Sequence, residues 1–378
     1  MAANVPVSIS TLFLVCAACA AHGDPEVACM DGVQPDQDDG ILAFDAPYTF
    51  TGWKEEFDGW LFERRPAAEL AVDLNTRVVY RPLRGPPGVL GWIGLDYVEE
   101  LTFGDGRSIG TLLLQPFLLR ADGLPGTPPI FDGPYDWQIQ WRYVSLDVTR
   151  WEHRGVSWLT GHFELPFGLD RQIDTNGTLR QYTNGRNLGL KTDWGTSLHG
   201  ERAGVDYQVA LTRGSGNDYR SKDGNYAFTL RVGNSLEENF SYGFSFMDAQ
   251  VQPEPRRGSL PAFPKPDRTR FGADFRWRRP GFSLLGEASF GTDDDDDVWS
   301  ALFEVNAISN DERVLTYAQL VGYGSREPSG WQDRQSLNLG VSHDLGSSAT
   351  IGLQWSRDIA VPGASEGNAL AIQWRYRF

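Results

Sequence analysis

Leu370-Ala371-Ile372-Gln373-Trp374-Arg375-Tyr376-Arg377-Phe378 closes the chain, and its reading decides the fold. Leu370, Ile372, Trp374, Tyr376 and Phe378 occupy alternate positions, with Ala371, Gln373, Arg375 and Arg377 between them. Period two places successive side chains on opposite faces of a strand. One face here is apolar and aromatic, and the other carries charges that a dry core would hold only as pairs. The same split recurs upstream. Phe271, Ala273, Phe275 and Trp277 oppose Arg270, Asp274, Arg276 and Arg278, while Val205, Tyr207, Val209 and Leu211 oppose Asp206, Gln208 and Thr212. Leu188, Leu190, Thr192 and Trp194 oppose Lys191 and Asp193, and Ile351, Leu353 and Trp355 oppose Gln354 and Ser356. Along Trp137, Ile139, Trp141 and Tyr143 the pattern holds, then slips by one residue into Val144, Leu146 and Val148, which predicts a bulge near Tyr143.

Counted back from the C-terminus, about sixteen such segments fill residues 66–378, most of them 10 to 14 residues long. Soluble strands average ~5 to 6 residues, whereas tilted strands that cross a bilayer need about 9 to 11. The predicted links alternate in length. Short ones fall at 199–203, 278–281, 310–312 and 346–348, and long ones at 121–135, 167–187, 214–223, 249–267 and 324–332. A membrane barrel with short turns at one end and long loops at the other has this rhythm. A soluble β-sandwich also alternates, but it would need more leucine and isoleucine for two packed inner faces. The expected fold is therefore all-β: a transmembrane antiparallel β-barrel of about 16 strands in a bacterial outer membrane.

The remaining composition narrows function by exclusion. The chain holds 378 residues with 50 Asp+Glu against 34 Lys+Arg, a net charge of −16, so nucleic acid is not an expected partner. Five histidines and three cysteines form no CxxC, CxxCH or HExxH, and neither a cofactor nor a bound metal is expected. Residues 1–22 carry no charged side chain, and the apolar run Thr11 to Ala21 is too short to span a bilayer. They read as an export signal peptide. Residues 23–65 form an acidic periplasmic segment with eleven acidic and three basic side chains, in which Trp53, Phe57, Trp60 and Leu61 share one helical face suited to a lumen plug or a periplasmic partner. Asp293 to Asp297 is expected in an external loop as a solvated run, at most a loose divalent bridge to lipopolysaccharide.

Gly161-His162-Phe163-Glu164-Leu165-Pro166-Phe167-Gly168-Leu169-Asp170 resembles the GxFxxPFGLE signature of the phosphate-selective porin O and P family. In that family the motif closes a barrel strand and opens a loop folded into the pore. The aromatic end at Phe378 is similar to the terminal signal of outer-membrane barrels. The resemblance implies a porin, a homotrimer in outer-membrane lipid, and an inward-folded constriction loop over 167–187. This chain lacks the dense lysine cluster of a phosphate channel.

Within that loop, Arg171, Arg180 and Arg186 are candidates to meet a passing anion through planar guanidinium forks, with Asp170 and Asp174 as their alternative partners. The strand pattern turns Arg77, Arg142, Lys191, Arg231, Arg270, Arg276, Arg375 and Arg377 toward the lumen together with Asp73, Asp193, Asp206, Asp274 and Asp344. Such a wall either orients polar solutes in a transverse field or wires the barrel with internal salt bridges. His162 and Glu164, read as sharing the polar face, are the one pair suggestive of acid–base work, but no nucleophile motif accompanies them and no enzyme is expected. The expected function is passive diffusion of small hydrophilic solutes, anionic ones foremost and phosphate-like ions among them. The alternative is a barrel sheath around the cytochrome of an electron-transfer complex.

Overall fold

Every segment that the alternation marks out becomes a strand, and the strands close on themselves. The computed structural model of the chain describes residues 68–82, 87–102, 108–122, 137–149, 151–152, 155–169, 177–217, 219, 225–235, 237–251, 266–328, 330–360 and 367–378. The expected signal peptide, the expected acidic segment and the loop residues Asp170, Arg171 and Asp174 lie outside the described residues. In chain order the strands are β1 (Ala68–Tyr80), β2 (Gly88–Thr102), β3 (Ser108–Asp122), β4 (Gln138–Val148), β5 (Ser157–Glu164), β6 (Thr192–Arg202), β7 (Val205–Thr212) and β8 (Tyr226–Asn234). Then follow β9 (Phe240–Gln250), β10 (Asp267–Arg279), β11 (Phe282–Asp293), β12 (Asp296–Ile308), β13 (Val314–Glu327), β14 (Gly330–Asp344), β15 (Ala349–Ala360) and β16 (Asn368–Arg377). A single helical turn, α1 (Asn184–Asn187), lies between β5 and β6. Each strand pairs antiparallel with its neighbours in sequence, and β1 pairs with β16 to close a sixteen-stranded barrel. Among the described residues no helix is long and apolar enough to cross a membrane; the strands are the crossing elements.

Closure uses the C-terminal stretch quoted first. Asp73 stands opposite Arg377 and Leu74 opposite Tyr376, and beyond the ladder Val72 and Phe378 exchange backbone hydrogen bonds of 2.8 and 3.1 Å. On the inner face of the same seam Arg375 donates to both oxygens of Asp73, at 2.9 and 2.7 Å. The outer face is apolar and unshielded by protein: Phe244 is 64% exposed, Phe290 65% and Ile139 64%. That surface suits hydrocarbon, where each such side chain leaves water at a gain of roughly 1.5–3 kcal/mol. Aromatics gather toward both rims. Trp158, Tyr242, Trp374 and Tyr376 lie toward the end that carries the termini of the sheet, and Tyr80, Trp137, Trp141 and Trp331 toward the opposite end.

The predicted bulge is present. Gln115 pairs with Tyr143 but Pro116 pairs with Trp141, so Arg142 is the extra residue, and Tyr143 turns inward while Trp141 stays outside. Proline at position 116 fits this break, since it has no N–H to give the ladder. The links 123–137, 165–191, 213–225 and 251–266 all leave from the same end, opposite the barrel termini. Three expectations need correcting. Leu188 and Leu190 do not begin a strand: they follow α1, are buried inside the loop, and β6 starts only at Thr192. The supposed long link 324–332 is paired sheet, because β13 and β14 run on to Glu327 and Gly330 and leave two residues between them. Asp293 to Asp297 is likewise not an extended loop. Asp293, Asp296 and Asp297 are ladder residues, and Asp293 and Asp296 flank a two-residue turn in which Asp294 takes a left-handed φ of 53° that aspartate tolerates. The strands persist there because the turn side chains find partners: Arg268 and Arg270 take Asp293, and Arg326 meets Asp297 at 3.1 Å.

Candidate functional site

The link between β5 and β6 reaches strands on the far side of the barrel. Its two legs are tied at the base, where the Leu165 N–H donates to the Lys191 carbonyl at 3.0 Å. From there Pro166-Phe167-Gly168-Leu169 runs across the inner face of β9–β11. Phe167, fully buried, lays its ring over Gly272 of β10, where an added Cβ would come within 2.8 Å of a ring carbon. Gly168 has a φ of +61°, and a Cβ there would stand 2.1 Å from Glu287 Oε2. That close approach lets the Gly168 N–H reach Ser245 Oγ at 3.0 Å and the Leu169 N–H reach Glu287 Oε2 at 2.7 Å. Leu169 then packs with Leu285 and Leu302. The motif is thus a backbone anchor: glycine permits the turn and aromatic and leucine side chains seat it.

The returning leg, residues 177–191, is fastened to the polar inner faces of five strands. Arg77 of β1 donates to the Thr178 carbonyl at 2.7 Å, and Arg180 meets Glu304 of β12 at 2.9 Å. Gln181 and Gln319 of β13 exchange two hydrogen bonds, backbone N–H to amide oxygen at 2.9 Å and amide nitrogen to carbonyl at 3.0 Å. Asn187 donates to Ser289 of β11 at 2.8 Å, and Arg270 of β10 donates back to the Asn187 carbonyl at 3.0 Å. Asn184 joins the legs by donating to the Phe167 carbonyl at 2.8 Å.

Most of the basic residues expected on the lumen wall are engaged. Arg231 is 1% exposed and forks onto Asp274 at 3.0 and 2.6 Å, with Asp206 at 3.9 Å. Arg377 meets Asp96 at 3.0 Å, Lys191 meets Glu164 at 2.9 Å, and Arg375 holds Asp73 as described. Arg142, at the bulge, lies 5.4 Å from the Tyr143 ring centre, and Arg276 is buried on the inner face of β10. Of the described loop arginines, Arg180 is an anchor, whereas Arg186 of α1 is exposed and stands 5.8 Å from the centre of the Tyr323 ring. Enclosure by the surrounding protein, and then the nearby Arg334, draw the Arg186 guanidinium below its ordinary pKa.

His162 and Glu164 do not form a pair. His162 sits on the outer side of β5 in register with Trp194, its ring 4.9 Å from that indole and its Nδ1 3.1 Å from the Arg142 carbonyl. Glu164 instead accepts the Tyr143 hydroxyl at 2.7 Å and pairs with Lys191. The sequence reading placed both on one face because it assumed an unbroken pleat, yet β5 turns inward at Leu165 and takes Glu164 with it. Residues it did not single out include Glu287, Glu304 and Arg334. The first two were readable as inner-face positions, alternating with Ala288 and Val305; Arg334 fell between the link expected at 324–332 and the strand expected from about Ser336.

No protein-family model matches the sequence, and no curated protein matches it. Solved structures do resemble the fold. OprB of Pseudomonas putida superimposes with a TM-score of 0.60 at 8% identity over 90% of this chain and 100% of that one. OmpF of Salmonella typhi gives 0.58 at 8% identity over 82% and 97%. An anion-selective porin of Comamonas acidovorans gives 0.55 at 12% identity over 82% and 99%. The fold is that of the outer-membrane porins. With its apolar outer face and closed sheet, this porin-like barrel belongs to a bacterial outer membrane. At these identities the likeness extends to the fold and not to any one porin's selectivity, and it does not single out the phosphate-selective group.

Proposed function

We propose that the chain is a passive-diffusion porin for small hydrophilic solutes, with anions preferred and the link 165–191 as its constriction. The observation that carries this reading is the span of that link, bonded at one end between Leu165 and Lys191 and at the other to Arg77, Glu287, Glu304 and Gln319. A segment fastened across the inside of a sixteen-stranded barrel divides the lumen and sets its narrowest passage. Solutes crossing beside it meet guanidinium, carboxylate and amide groups held in place by one another. Such a wall exchanges a solute's hydration shell for weak polar contacts and offers nothing to a purely apolar molecule. Anion preference is supported by Arg186, exposed beside the anchored leg, and by the likeness of the fold to a porin described as anion-selective. Phosphate-like ions fall within that preference as one case of it.

A homotrimer is the proposed assembly, since a trimer form is among the similar structures, that of OmpT of Vibrio cholerae. Residues 1–22 are proposed as a cleaved leader and 23–65 as a periplasmic extension. Transport here needs no catalytic group, and nothing in the similar structures favours a sheath for an electron carrier. Reconstitution of the purified full chain in planar bilayers tests the proposal. Stepwise ohmic conductance is expected, and protein that folds but carries no current would refute it.

A further inference from the structure

Among the described residues, most cations on the inner wall are held by a partner. Arg231, Arg270, Arg375, Arg377, Arg180 and Lys191 each hold a carboxylate. Arg186 and Arg334 are different: both are exposed, and neither guanidinium makes a hydrogen bond or ion pair with a described residue. They are brought together by Tyr323. Arg334 of β14 is the ladder partner of Tyr323 of β13, and Arg186 of α1 lies over the same ring at 5.8 Å. Burial first, and then the charge of Arg334, lower the Arg186 pKa. Asp358 of β15, whose charge acts on Arg186, forms no ion pair with either arginine, and Asp293, whose charge acts on Tyr323, is taken by Arg268 and Arg270. Both arginines lie toward the loop-bearing end of the barrel: Arg334 is four residues into β14, which starts there at Gly330, and α1 belongs to the infolded link.

We infer that Arg186 and Arg334, set around Tyr323 on the lumen side, form a two-guanidinium capture site for doubly charged oxyanions entering from the loop-bearing end. The inference rests on the porin reading and deepens it. Two forks with five donors each match the four oxygens of a tetrahedral dianion or the two ends of a short dicarboxylate, whereas a monovalent ion leaves one guanidinium unsatisfied. The solute would pause here before passing the anchored loop.

Sulfate is the suitable probe, since it stays doubly charged across the working pH range. In planar bilayers the full chain should carry a chloride current that sulfate reduces in a saturable way, more strongly from the loop-bearing side, while acetate at equal ionic strength does not. Arg186→Ala and Arg334→Ala should each raise the half-blocking sulfate concentration about tenfold or more, the scale of one charge-assisted contact. Arg186→Lys, which keeps the charge and loses the fork, should recover part of it. A heat-modifiable band on gels verifies that each variant is folded. Chloride conductance with no sulfate block, or block unchanged in both alanine variants, would overturn the site and leave the porin standing. Absence of any conductance would overturn both.

Discussion

At the residue scale the decisive positions are those that fix the loop to the wall. Gly168 is one, because its left-handed φ and its approach to Glu287 are both closed to any side chain. Gly168→Ala places about 1–2 kcal/mol of backbone strain at the turn and pushes away the carboxylate that holds Leu169 and Thr183. The expected result is a folded barrel with larger, noisier single-channel conductance. An unchanged current trace would mean that this turn does not set the passage. Arg180 and Arg186 separate two roles that the sequence left undivided. Arg180→Ala leaves the fully buried Glu304 carboxylate without its cation and should cost about 3–5 kcal/mol in barrel stability. Arg186→Ala removes an exposed charge and should leave the melting temperature within error while moving the reversal potential toward cation permeability. Thermal melts in detergent alongside bilayer recordings distinguish them. The sequence showed that this loop was rich in arginine; which arginine is an anchor depends on Glu304 and Gln319, more than 120 positions away in the chain, and no local pattern encodes that.

The same limit appears at the scale of elements. Strand identity was legible from period two because each strand divides hydrocarbon from a polar lumen, so every position is one or the other. The bulge at Arg142 was legible for the same reason, as a slip in that alternation. Strand ends were not, wherever pairing continues through residues of turn-like composition, as at Gly324 to Gln332 and at the aspartate run. Nor was the consequence of β5 leaving the wall. The β4–β5 ladder is only five residues long, from Val144 opposite His162 to Val148 opposite Trp158, so the outer half of β4 has an edge that β5 does not cover. Asn217, from the β7–β8 link, covers it. Its side-chain amide oxygen accepts from the Trp141 N–H at 2.9 Å and its amide nitrogen donates to the Ile139 carbonyl at 3.4 Å. An amide side chain here stands in for a missing strand, and Tyr219 adds an edge-on contact with Trp194 at 5.0 Å. Backbone groups facing lipid need such partners. Asn217→Ala should therefore speed amide hydrogen exchange at Ile139 to Trp141 while leaving the β10–β12 ladders protected, and equal protection in both proteins would rule out the latch.

For the whole molecule, most of the net charge of −16 falls in two stretches of the sequence. Residues 23–65 contribute a net of eight negatives, and the aspartate run, which supplies five more, is partly neutralised by Arg268, Arg270 and Arg326. Along the inner wall acids and bases largely cancel in pairs, so bulk charge does not oppose anion passage, and the proposed selectivity falls to Arg186 and Arg334. The barrel and its outer-membrane setting were readable from pattern alone, and the porin likeness of the fold agrees with them. The solute preference is a property of a few side chains at one passage. The most direct measurement is the reversal potential of the reconstituted full chain under a KCl gradient. A channel that conducts ohmically and reverses on the chloride side of zero is the predicted result; a silent barrel, or one that reverses on the potassium side, would contradict the account.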